Sequence, residues 1–155
     1  MRMANLAQTI NDLQALVLTR GGQMVLTPTY HVFDLFKVHH DAKWLPVSFK
    51  SPDYIMGEQK IAALNASASR DSSGTVHITM VNLDPNRNIM VRTTFNNITW
   101  KQVAGQILSS AKLSDINSFD QPTHIHIENF TGAKKMGDMP EVVLPAKSIV
   151  MLELR

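Results

Sequence analysis

Apolar positions in the first quarter of the chain recur at helical spacing and give way further on to a period of two. In the opening MRMANLAQTINDLQALVLTRGG, Met3, Leu6, Ile10, Leu13 and Val17 fall three to four residues apart. That spacing predicts a helix, or a strand running into a helix, over residues 3–18, with Gly21-Gly22 as its stop. Period alone does not separate the two for so short an apolar run. Thr27-Pro28 then supplies an N-cap and a first-turn proline. The helix they start, TYHVFDLFKVHHDA, carries Tyr30, Phe33, Leu35, Phe36 and Val38 on an apolar face, with Asp34 and Lys37 outside it. Leu45-Pro46 marks the exit. Nothing caps the opening stretch, so either the fold starts abruptly or the chain starts in the middle of a larger structure.

From about Trp44 the pattern shortens. Residues 61–69 lead into the turn Asp71-Ser72-Ser73-Gly74 and then VHITMVNLD, a hairpin signal in which Val76, Ile78 and Met80 alternate with His77, Thr79 and Val81. Asp84-Pro85-Asn86 is a further turn, and NIMVRTTF, ITWKQVAGQILS, THIHIEN and KSIVMLELR read as strands between Gly, Pro, Asn and Asp punctuation. Short strands separated by turns predict a β-sandwich or jelly roll. The expected organisation is a mainly β chain in two parts, a terminal piece over residues 1–43 and a β-sandwich over residues 44–155.

Composition narrows the function. The net charge of +2 comes from scattered residues, whereas nucleic acid and anionic membranes both select for a basic stripe. Neither is expected as a partner. Without cysteine, disulfide frameworks and thiolate catalysis are excluded. No run of about 18 apolar residues exists from which to build a spanning helix.

Candidate chemistry is sparse. A retaining glycosidase needs two carboxyl groups about 5–5.5 Å apart. Most acids here fall in turns (Asp71, Asp84, Asp138) or on the helix exterior (Asp34, Asp41), and no motif pairs two of them. On a strand, His124, His126 and Glu128 of HIHIE share one face, with ligand types suited to a divalent metal in a cupin-like sandwich. Alternation by itself demands polar residues at those positions, and a half-buried strand with Ile125 and Ile127 inside is the preferred reading. In His39-His40-Asp41, adjacent helical residues diverge rather than converge on an ion. Trp44, Tyr54 and Trp100 would suit the stacking platform of a carbohydrate-binding module, although packing is the preferred role for them.

Five blocks taken in order carry a resemblance: MANLAQTINDLQALVLT, MVLTPTYHVFDLFKVHHDA, LNASASRDSSGTVHITMVNLDPN, FDQP and LPAKSIVMLELR. Together they resemble the C-terminal portion of family 51 α-L-arabinofuranosidases, most specifically over residues 3–42 and 144–154.

The resemblance implies a (β/α)8 barrel followed by a jelly-roll sandwich, with residues 3–8 as the barrel's eighth strand and the segment to about Ala42 closing it. It implies a parent enzyme that removes non-reducing terminal α-L-arabinofuranosyl groups from arabinan- or arabinoxylan-type polysaccharides with retention, needs no cofactor, and forms a homo-oligomer. The family's two catalytic glutamates align upstream of this chain, so the chain alone is expected to be inactive, with the upstream barrel as its partner. Gln8 matches the glutamine that binds arabinose at the end of strand eight. Its amide offers two donors and an acceptor for sugar hydroxyls. Asn5 and Asn11 match nothing comparable and receive no role. Phe33, Leu35 and Phe36 are expected either to drive dimerisation or to pack back onto the sandwich.

Overall fold

The computed structural model describes residues 6, 8–96, 98–136 and 139–155. Of the strand expected over residues 3–8, only Leu6 and Gln8 are described; the remainder lies outside the described residues. The helix expected through Val17 does not form over residues 8–20. Asn11 and Gln14 hold φ of 53° and 59°, a left-handed backbone that no α-helix accommodates. The apolar run instead ends in a hairpin of β1 (Val17–Arg20) and β2 (Gln23–Leu26). Gly21-Gly22 is therefore its two-residue turn rather than a helix stop. Gly21 sits at φ 58°, the positive φ that a type II′ turn requires of its first central residue.

The helix expected after Thr27-Pro28 forms as α1 (Pro28–Phe36) but stops short of Ala42, and the Thr27 hydroxyl accepts from the Tyr30 N–H. A 3₁₀ turn over Lys37–His39 extends it. The face turned to the protein runs Val32, Leu35, Phe36 and His39, the i, i+3, i+4 stripe of a helix. Phe33 lies off that stripe and is 48% exposed. Leu35 and Phe36 thus pack back onto the sandwich and Phe33 does not.

The remaining strands are β3 (Lys43–Leu45), β4 (Asp53–Met56), β5 (Gln59–Ala62), β6 (Leu64–Arg70), β7 (Val76–Asn82), β8 (Ile89–Arg92), β9 (Val103–Ser109), β10 (Glu128–Asn129), β11 (Ala133–Met136), β12 (Met139–Leu144) and β13 (Ser148–Leu154). One antiparallel sheet runs β10-β9-β13-β7-β6-β3, and a smaller one runs β11-β12-β8. The β6–β7 hairpin predicted around Asp71–Gly74 is registered Arg70 to Val76 and Leu64 to Asn82. Between the sheets, Ile78, Met80, Val150 and Leu152 of the larger meet Ile89, Val142 and Leu144 of the smaller. Gly105 and Gly132 flank the Phe130 ring. A Cβ built at Gly132 would fall 2.5 Å from that ring's Cζ, so the ring fits only against bare backbone.

The alternation read along β7 is only half correct. Val76, Ile78 and Met80 face the inner core, but His77 and Thr79 are buried as well. The larger sheet carries a third layer on its outer face, where Leu35, Leu108, Ile125 and Met151 form a second core. THIHIEN also departs from expectation, since only Glu128 and Asn129 pair with β9. The buried Asn117 side chain takes both backbone groups of Ile125, donating to its carbonyl at 2.7 Å and accepting from its N–H at 2.7 Å. Those groups are then unavailable to a neighbouring strand.

Leu35 is 1% exposed at the centre of the outer core. Leu35→Ala should cost about 2–5 kcal/mol. Amide exchange should show the loss concentrated in α1, while the β6–β7 and β7–β13 ladders keep their protection; uniform loss across all strands would mean that the helix and the sheet do not unfold separately.

Candidate functional site

Gln8, expected from the resemblance to be a sugar contact, is exposed and lies in irregular backbone just before Ile10. The segment after it is tied to the β1–β2 hairpin. Val17 N–H donates to the Thr9 carbonyl at 3.0 Å, and Asn11 N–H donates to the Val17 carbonyl at 3.0 Å. Ile10 and Val17 form a parallel bridge. The Asn11 side chain accepts from the Thr19 N–H and donates to the Thr19 hydroxyl, both at 2.7 Å.

The hairpin is held in turn. The Thr27 hydroxyl donates to the Ala15 carbonyl at 2.8 Å, so one residue caps α1 and pins the loop before β1. Asn117 Nδ2 donates to the Leu26 carbonyl at 2.8 Å. The Arg20 guanidinium lies 4.3 Å from the centre of the Phe119 ring, a cation–π contact.

The histidines separate by role. His39 inserts between two hydroxyls, with Nδ1 2.7 Å from Ser69 Oγ and Nε2 2.6 Å from Thr79 Oγ1. Burial, with the nearby His77 second, lowers its pKa and favours the neutral ring. His40 pairs at the surface with Asp41 at 3.4 Å. His77 Nε2 lies 2.9 Å from Asp71 Oδ2. That contact first, and the Ser73 hydroxyl next, lower the Asp71 carboxyl to about 2. Ser69 bonds His39 rather than His77 and is buried, so this pair does not present an accessible nucleophile beside a base.

His124, His126 and Glu128 do not converge. His124 pairs with Asp115 at 3.7 Å and His126 with Glu128 at 3.6 Å. Among the described residues no group of three or more His, Asp or Glu side chains could hold a metal. The isoleucines of that segment do point inward, as the preferred reading had it, but from a loop rather than a strand. Nor do the aromatics divide as expected. Tyr54 and Trp100 pack against the inner core, whereas Trp44 is 72% exposed on the edge strand β3. An apolar hollow of about 180 Å³ opens between the ends of β3 and β8, and its lining includes neither carboxylate nor histidine.

The fold is that of a mainly β chain whose larger sheet carries an outer layer formed by α1. The family model for the alpha-L-arabinofuranosidase C-terminal domain matches residues 1–148, and the chain belongs to this family. It is 37% identical, over its whole length, to an intracellular exo-alpha-L-arabinofuranosidase of Bacteroides ovatus, of which it spans 30%. A solved GH51 arabinofuranosidase from Xanthomonas axonopodis pv. citri superposes on 99% of the chain with a TM-score of 0.95 and 42% identity, the match covering 31% of that protein. The arabinofuranosidase of Thermotoga maritima, solved as an arabinose complex, shares the fold with a TM-score of 0.83 at 22% identity.

The sign of the pH response follows from burial. Because the folded-state pKa of His39 is lowered, the unfolded chain binds the proton first. The contribution of His39 is therefore complete above about pH 6.5 and declines as the pH falls below it. His31, whose pKa is also lowered by burial, adds in the same direction. Asp71 acts lower, its contribution being lost as the pH falls through about 2. His39→Gln, which keeps a donor and an acceptor, should flatten the near-neutral limb of α1 amide protection. His39→Leu should cost about 1–3 kcal/mol by leaving the buried Ser69 and Thr79 hydroxyls without the ring. A glutamine variant with an unchanged near-neutral limb would assign that limb to other groups.

Proposed function

We propose that this chain is the C-terminal part of a retaining, exo-acting α-L-arabinofuranosidase that releases terminal arabinofuranosyl groups from arabinan- or arabinoxylan-type polysaccharides. The observation that carries this reading is the full-length likeness to an exo-alpha-L-arabinofuranosidase of which the chain spans only 30%. Residues 1–43 are the last strand and helix of the catalytic barrel, and residues 44–155 are an accessory sandwich with no catalytic role of its own. Both catalytic carboxylates lie upstream, where a retaining mechanism needs them about 5–5.5 Å apart as acid/base and nucleophile. Gln8 serves the same pocket from the C-terminal end of strand eight, the end at which barrel enzymes build their sites. Its amide bonds arabinose hydroxyls and fixes the sugar against the nucleophile.

Exposure supports the upstream barrel as the partner of residues 1–43. Ile10, Leu13, Met24 and Phe33 are all exposed on the outer layer, an apolar set suited to packing against further strands and helices. The parent assembles as a homo-oligomer, for which Ile55, Met56 and Ile61 on the projecting β4–β5 hairpin offer apolar surface.

The test compares the upstream-extended polypeptide with the 155-residue chain on an aryl α-L-arabinofuranoside and on arabinan. The extended form should release arabinose with the anomeric configuration retained, read by NMR, and the short chain should release none. Gln8→Ala in the extended form should lower kcat/KM about tenfold to a hundredfold, the loss expected from about 1.5–3 kcal/mol of hydrogen bonding. An extended polypeptide inert on every arabinofuranoside would overturn the reading.

A further inference from the structure

Gln8 stands on irregular backbone, so a neighbouring group has to set the direction of its side chain. We infer that Asn11 is a positioning residue for Gln8, acting by clamping the Gln8–Asn11 segment onto the β1–β2 hairpin; the inference rests on the substrate-binding reading of Gln8. Asn11 is bonded on both sides of its plane of attachment. Its main-chain N–H reaches the Val17 carbonyl, while its side-chain amide grips the N–H and hydroxyl of Thr19 at 2.7 Å each. Val17 closes the circuit by donating to the Thr9 carbonyl. Three consecutive positions after Gln8 are thereby registered against one strand, with Thr9 through its carbonyl, Ile10 through the bridge and Asn11 through backbone and side chain.

The residue type matters at this point. Asn11 sits at φ 53°, a region that Asn tolerates and β-branched or bulky residues avoid. A side chain must also present an acceptor and a donor to Thr19 from that backbone. Asn meets both demands, Asp meets the acceptor half and can accept from the Thr19 hydroxyl as well, and Gly meets the backbone demand alone. These differences separate the clamp from mere backbone tolerance.

The experiment is a double-mutant cycle in the upstream-extended polypeptide, with kcat/KM on an aryl α-L-arabinofuranoside as the readout. Asn11→Gly should lower kcat/KM about tenfold when Gln8 is present, the scale of a sub-ångström to ångström misplacement of a positioning group. In a Gln8→Ala background the same change should lower it less than about twofold, because the group being positioned is gone. Asn11→Asp should recover most of the loss. Thr19→Val, which removes only the hydroxyl of an exposed strand residue, gives a milder version of the same pattern should Asn11→Gly fail to fold. Multiplicative effects of the two changes, or an Asn11→Gly enzyme with full activity beside an impaired Gln8→Ala enzyme, would overturn the inference while leaving the substrate role of Gln8 standing. A fully active Gln8→Ala enzyme would remove that role, and the inference with it.

Discussion

A strand buried on both faces accepts polar side chains only where each of them is hydrogen-bonded. β7 carries three, His77, Thr79 and Asn82, all buried. Each is met by a different part of the chain. Thr79 is met by His39 from the turn after α1, and His77 Nε2 by Asp71 from the β6–β7 turn, while the buried His77 Nδ1 is unpaired among the described residues. Asn82 donates to the carbonyls of Leu144 and Pro145 ahead of β13, and to that of Arg87 ahead of β8. The apolar Val76, Ile78 and Met80 on the same strand ask only for matching volume. The polar three ask for particular partners at particular distances, because an unmet buried donor or acceptor costs about 1–3 kcal/mol. They therefore decide which connections lie against the central strand, and the hydrophobic residues decide how tightly.

From β7 a continuous line of attachments runs to Gln8. The sheet holds the turn after α1 through His39 and the last turn of α1 through Leu35. The start of α1 is capped by Thr27, whose hydroxyl also fixes Ala15 in the preceding loop. That loop enters β1, and β1 holds the segment after Gln8 through Val17 and Thr19. Every link is a short directional bond or a closely packed side chain, so the line transmits position. On the function proposed above, this gives the sandwich a physical means of affecting a site it does not line. On the proposed reading of residues 1–43, it sets the direction from which Gln8 presents its amide.

Much of this was legible in the sequence, and what was missed has physical reasons. Thr27-Pro28 marked α1, and Asp71–Gly74 marked the β6–β7 hairpin, because caps and turns depend on a few residues close in sequence. The run from Ile10 to Val17 was misread because spacing records which residues are apolar and not the sign of φ, and Asn11 and Gln14 adopt positive φ there. THIHIEN alternates as a strand should. Its ladder is nevertheless cancelled by Asn117, a residue eight positions away whose polar character alone did not mark it as buried. His39 was legible as a polar residue near a helix end, but its bonds span 30 and 40 positions, beyond any local pattern. Within the candidate site, Gln8 could be aligned with a motif. Asn11 could not, since what distinguishes it is a backbone angle and a partner on the next strand.

The outer layer has two sides, and they differ in a way that bears on its role. α1 is nine residues long, below the roughly 12–15 residues at which an isolated helix becomes marginal in water, so its helicity depends on burial. One side is secured by Val32, Leu35, Phe36 and Val38 against the sheet. The opposite side presents Phe33, with Ile10, Leu13 and Met24 exposed on the neighbouring segments. Were this layer only the lid of the sandwich, polar residues on its outer side would serve better, as Asp34 and Lys37 do where they pair at the surface. Apolar residues on both sides are the pattern of an element held between two bodies. On the proposed reading, a layer secured on its sandwich side before the other side is covered offers a preformed edge for the upstream barrel to close against. The ordering entropy of that edge is then already offset by the sandwich core rather than by barrel closure.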